Sequence, residues 1–76
     1  MLQPESTEEF KRVVETALLA ASAPLAVSEL RRLFEEDPGP EAVRAALAEL
    51  VGDWQGRGVE LVQTAGGWRF QTRLEY

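Results

Sequence analysis

The 76-residue sequence has no cysteine and no histidine. The first absence excludes a disulfide framework and cysteine-based zinc sites, and the second removes the commonest general base and metal ligand. An enzyme is therefore not expected, and no catalytic residue, metal ligand or cofactor is assigned. Long apolar runs are missing too: nothing approaches the ~20 residues that span a bilayer. The start, Met1-Leu2-Gln3-Pro4-Glu5, lacks the basic segment of an export signal. A soluble, cytoplasmic protein without a membrane partner is expected. Positive charge is scarce, because 13 acidic side chains face 8 basic ones for a formal charge of -5. Such a chain repels a polyanion at long range unless its basic residues cluster, and here they do not cluster strongly. The length allows one small domain, which buries only about 60% of the surface its unfolded chain exposes.

What the sequence does contain is helical periodicity followed by strand periodicity. Ser6 and Thr7 suit a helix start, and Ser6-x-x-Glu9 fits a capping box, with Glu8 and Glu9 at the positive end of the helix. From about Thr7 onward, Phe10, Val13, Val14, Ala17, Leu18 and Ala21 form one apolar stripe, while Leu19 and Ala20 fall off it. Ser22-Ala23-Pro24-Leu25 ends this helix, since the residue before proline leaves the helical region and Pro24 has no N–H to donate. A short second helix is expected from about Val27 to Glu35, with Val27, Leu30, Leu33 and Phe34 on one face. Its cap is either Ser28 or, if Val27 belongs to the first turn, Ala26, which offers no capping side chain.

Glu36-Asp37-Pro38-Gly39-Pro40 is a turn, with Pro40 at the favoured first position of a third helix running to about Gln55. Val43, Ala46, Leu47, Leu50, Val51 and Trp54 make its apolar stripe, and Gly56-Arg57-Gly58 releases the chain. Val59 to Thr64 and Trp68 to Thr72 then alternate apolar and polar residues across Ala65-Gly66-Gly67, which reads as a hairpin. By parity Val59, Leu61, Trp68 and Phe70 face the helices, and Val62, Arg69 and Arg73 point away. The predicted class is α+β: a winged helix-turn-helix of three helices and a two-stranded wing, filling residues 1–76. Both ends are expected to be loose, and Leu74-Glu75-Tyr76 reads as the start of a continuing segment.

Each patch of suggestive chemistry has a plainer explanation. Glu35-Glu36-Asp37 with Glu41 lacks the ligand spacing of a calcium loop and is interrupted by Pro38 and Pro40, so it is a solvated acidic turn. Gly66-Gly67 leads into a strand, where a phosphate-cradling loop would lead into a helix. Glu8 and Glu9 are adjacent on a helix and diverge. Trp68, by its parity with Phe70, covers the core, and Trp54 is read as core as well.

A winged helix suggests DNA, yet the outward residues of the third helix are Glu41, Arg44, Ala45, Ala48, Glu49 and Asp53. Base reading needs Arg, Lys, Asn or Gln there. Arg57, Arg69 and Arg73 offer at most weak, nonspecific phosphate contacts from the wing. Ala45 and Ala48, with the off-stripe Leu19 and Leu25, instead suit a protein interface.

Several stretches resemble the amino-terminal domain of the segregation and condensation protein B family. They are Glu15-Thr16-Ala17-Leu18-Leu19, Pro24-Leu25, Glu29-Leu30, Val43 to Leu50, and above all Gly58-Val59-Glu60-Leu61-Val62 through Gly66-Gly67-Trp68-Arg69-Phe70-Gln71-Thr72-Arg73-Leu74-Glu75-Tyr76. The last run carries the most specific pattern. The chain departs from the family at Ala20-Ala21-Ser22-Ala23, where a glycine before the proline is usual, and at Ala26, which replaces a capping hydroxyl. The resemblance implies an amino-terminal fragment of a two-domain protein. It implies a non-enzymatic, nucleoid-associated subunit that forms a homodimer, binds the kleisin subunit ScpA and acts through it on the SMC ATPase in chromosome condensation and segregation. DNA association would then come through the complex. The competing expectation is a winged-helix DNA-binding transcriptional regulator.

Overall fold

The computed structural model describes residues 6–74. The expectation of loose ends falls on residues 1–5 and 75–76, outside the described residues. The elements in chain order are α1 (Thr7–Ala20), α2 (Val27–Arg31), α3 (Pro40–Asp53), β1 (Val59–Thr64) and β2 (Gly67–Thr72). This is the expected α+β arrangement of three helices and an antiparallel wing.

Helix α1 starts where the sequence places it, because the Ser6 hydroxyl oxygen accepts the Glu9 N–H at 3.0 Å. Helix α2 is shorter than expected. Beyond Arg31 the N–H groups of Arg32, Leu33 and Phe34 donate to the carbonyls of Glu29, Leu30 and Arg31, a tightened i to i+3 pattern that ends the helix early. Its cap is Ala26, and the missing capping hydroxyl is offset from the other side: the Glu29 carboxylate accepts the Ala26 N–H at 2.8 Å. Helix α3 ends at Asp53, two residues before the expected Gln55, with Trp54 as its cap.

The hairpin register pairs Val59 with Thr72, Leu61 with Phe70 and Thr64 with Gly67, so the turn is Ala65-Gly66 alone and Gly67 opens β2. Gly67 has a φ of 132°. A Cβ there would lie 2.4 Å from the carbonyl carbon of Leu25, so glycine is required by backbone approach as well as by conformation. The close neighbour is a third strand segment of one residue. Leu25 N–H donates to the Trp68 carbonyl at 2.9 Å, and Trp68 N–H donates to the Leu25 carbonyl at 2.8 Å. The segment between α1 and α2 thus joins the wing to the helices.

Val14, Leu18, Leu30, Phe34, Val43, Ala46, Leu47, Leu50 and Leu61 form the buried core. Phe10, Val13, Ala17, Leu33, Trp54, Trp68 and Phe70 pack around it, partly buried. The Phe10 and Phe34 rings stack with centroids 4.6 Å apart, and Trp54 meets Phe70 at 4.8 Å, so aromatic pairs close the core on two sides. At roughly 25 cal/mol per Å² of apolar surface removed from water, this burial is the main force holding the elements together. Among the described residues one charged side chain is buried beside it: Lys11 is only 7% exposed.

Candidate interaction surface

Lys11 sits between α1 and α3, where its amine meets Asp53 at 2.9 Å, Glu49 at 3.2 Å and Glu8 at 3.7 Å. Hydrogen bonds to Asp53 and Glu49 raise its pKa above the ordinary lysine value, and the same contact with Lys11 lowers that of Asp53. Two of the acids expected to point outward from α3 therefore also bridge to α1. On either side of this bridge the surface opens into a depression.

The first is a groove of about 430 Å³ between the start of α1 and α3, lined mainly by Phe10, Pro38, Ala42, Ala45 and Ala46, with Lys11 and Glu49 among its polar residues. The second, of about 500 Å³, is lined by Leu19, Arg12, Glu15, Asp53, Trp54 and Arg57 with Lys11. In it the Trp54 indole N–H donates to Glu15 at 2.9 Å, Arg12 pairs with Glu15 at 2.8 Å, and the Arg57 guanidinium lies 4.9 Å from the centre of the Trp54 ring. Leu19, 53% exposed, is the large apolar side chain of this second depression that reaches furthest into solvent.

The structure thus separates the residues singled out for an interface. Leu19 belongs to the second depression and Ala45 to the first. Ala48 is exposed on α3 but does not line the groove. Leu25 is not off the core as expected: it is partly buried, packs against the core and is paired with Trp68, because the interhelix segment runs as a strand under the wing.

The three wing arginines also part company. Arg69 is exposed and Arg57 lies over Trp54. Arg73 is directed inward, donating through Nε to the Arg57 carbonyl at 2.7 Å and through Nη to the Trp54 carbonyl at 3.5 Å, and pairing with Glu60 at 3.3 Å. These bonds satisfy carbonyls at the end of α3 and leave Arg73 poorly placed to meet phosphate.

The acidic turn before α3 has its own partner. Asp37 holds Arg31 through two hydrogen bonds, one of 2.9 Å from Nε, and accepts the Gly39 N–H at 2.8 Å. The Arg31 guanidinium and that backbone bond lower the Asp37 carboxyl to about 2. Among the described residues no group of three or more acids is placed to hold a metal ion, and no helix is long and apolar enough to cross a membrane. Sequence reasoning did not single out Phe10, Ala42, Glu15 or Lys11 for the surface. The i, i+3 spacing of Ala42 and Ala45 was the available signal, whereas the salt bridges of Lys11 depend on how α1 crosses α3.

Comparison with known proteins agrees with the fold and extends it. Residues 12–76 match the family model of the segregation and condensation complex subunit ScpB. The chain is 38% identical over 68 residues to the segregation and condensation protein B homolog of Coxiella burnetii, covering 87% of this chain and 32% of that protein. It is 36% identical over 72 residues to segregation and condensation protein B of Syntrophotalea carbinolica, covering 92% and 36%. The chain spans about a third of the length of these curated relatives. Among solved structures, ScpB from Mycobacterium tuberculosis aligns with a TM-score of 0.83 at 29% identity, over 96% of this chain and 46% of that one. A dimer of the ScpB N-terminal domain complexed with an ScpA peptide aligns with a TM-score of 0.73 at 28% identity, over 86% and 76%.

Proposed function

The chain belongs to the ScpB family of segregation and condensation complex subunits, and from that membership we propose that it is a non-enzymatic interaction module of a bacterial SMC–kleisin complex. It pairs with a second copy of itself and binds the kleisin ScpA, and it acts on the SMC ATPase through that partner. Residues 1–76 form the amino-terminal winged-helix domain of a longer, two-domain protein, working in the cytoplasm at the nucleoid. The related ScpB N-terminal domain solved as a dimer with an ScpA peptide supports both partners.

The observation that carries this reading is the outer face of α3. Where a DNA-reading helix needs donors for base edges, this one exposes Glu41, Ala42, Ala45, Ala48, Glu49 and Asp53 with Arg44 as its single cation. Arg44 is itself paired with Glu41 at 3.1 Å. Leu19, Ala45 and Ala48 remain the residues proposed for protein contacts, and DNA is reached through the complex. The same face counts against a sequence-specific transcriptional regulator.

Two measurements test the proposal. Immobilised kleisin should retain the chain. Duplex DNA should not retain it beyond low salt, because purely electrostatic contacts fade steeply by ~0.2 M. Tight, sequence-dependent DNA retention at that salt, together with no capture by kleisin, would reverse the reading.

A further inference from the structure

The groove between α1 and α3 combines three properties that together specify an occupant. Its walls are apolar and small, with Ala42 and Ala45 leaving room above the buried Ala46 and beside Phe10. Its shape is held by rigid parts: Phe10 is stacked on Phe34, and Pro38 closes one end just ahead of Gly39, which Asp37 ties down. Its volume, about 430 Å³, lies in the range of pockets that take a ligand, ~300–1,000 Å³. The charge beside it is one-sided. Glu8 turns mainly to Arg12, at 3.0 Å, which leaves Glu49 and Asp53 to share the amine of Lys11, two carboxylates to one cation, and Glu49 lines the groove with its side chain 55% exposed.

We propose that this groove is a docking site for a helical peptide segment that inserts aliphatic side chains between Phe10 and Ala45 and places lysine or arginine beside Glu49. The inference rests on the reading of the chain as an interaction module and adds the surface and the chemistry of what it takes. Aliphatic residues on one helical face suit a groove walled by alanines. A basic flank is required by the excess of carboxylate, which repels an acidic segment and aligns a basic one. A second copy of this chain is assigned to a different surface, the second depression, which Leu19 lines.

The test uses two synthetic helical peptides with the same leucine and alanine face, one with lysine and the other with glutamate at the flanks, and follows their binding by fluorescence anisotropy. The lysine peptide should bind at least about tenfold more tightly at low salt. Net charge alone would give the same preference, so two variants of equal size and charge separate the causes. Ala45→Phe fills the groove and should weaken the lysine peptide at least about tenfold. Ala65→Phe, at the exposed turn of the wing and outside the groove, should leave it unchanged. Both variants should keep the parent melting temperature, because both positions are exposed.

Equal binding of the two peptides, or equal effects of the two substitutions, overturns the proposal. So does a change in sedimentation caused by Ala45→Phe in the absence of peptide, which would make the groove a contact between copies. Kleisin capture is measured separately, so a kleisin that still binds Ala45→Phe would sustain the proposed function while the failure of the peptide arms removed this site.

Discussion

Leu25 and Trp68 exchange two backbone hydrogen bonds, of 2.9 and 2.8 Å, and through them the wing is fixed to the segment between α1 and α2. The pair places the Trp68 side chain over the helices and brings Gly67 against the Leu25 backbone. A two-stranded hairpin alone is at best marginally stable in water, so this docking is part of what keeps the wing ordered.

Gly67 should therefore be intolerant of a side chain while Gly52 tolerates one. Gly67→Ala forces a φ of 132° on a residue with a Cβ and drives that carbon to 2.4 Å from Leu25. A loss of roughly 2 kcal/mol or more is expected. Gly52 is helical and a Cβ there meets nothing within 4 Å, so Gly52→Ala should gain roughly 0.5–1 kcal/mol. Chemical denaturation of the two variants checks both signs.

Leu47 lies fully buried at the centre of α3. Leu47→Ala should cost about 2–5 kcal/mol, a large share of the stability of so small a domain. A thermal melt coincident with that of the parent would show that the α3 register is wrong.

Asp37 links stability to acid. Its folded pKa, about 2, lies below the ordinary value of 3.8, so its contribution is complete above the ordinary value and disappears as pH falls toward the folded one. Melting temperatures of the parent should therefore fall between about pH 4 and pH 2. Asp37→Asn should melt lower than the parent at neutral pH and lose less over the acid range. Parallel pH dependences would disconnect this carboxylate from folding.

Self-association through the Leu19 depression should appear as a melting temperature that rises with protein concentration, because pairing stabilises the folded form by mass action. Leu19→Glu should abolish the concentration dependence and shift sedimentation toward the monomer. If parent and variant sediment identically as monomers at tens of micromolar, the contact between copies does not use Leu19.

Much of this architecture is readable from spacing alone. Val14 and Leu18, like Val43, Leu47 and Leu50, recur at the helical period because one face of each helix must leave water, and all five are buried. The wing is legible for the same reason at the two-residue period, as Leu61 opposite Phe70 shows. What escaped depends on contacts between distant segments. Lys11 gains its burial from its place between α1 and α3, where Glu49 and Asp53 arrive to pair with it. Leu25 pairs through a single residue, too short to show any period. Gly67 reads as turn chemistry, although the Leu25 backbone is what leaves no space for a side chain there.

Arg73 closes the open end of the wing. The carboxyl end of an antiparallel hairpin is where its rungs begin to fray. Here Arg73 follows directly on the first rung, Val59 with Thr72. Its N–H is held by the Gly58 carbonyl at 2.9 Å, and its guanidinium by Arg57, Trp54 and Glu60. These bonds sit close together, so the carboxyl end of the wing is tied to the end of α3 and to β1 by Arg73 in addition to the rungs of the hairpin.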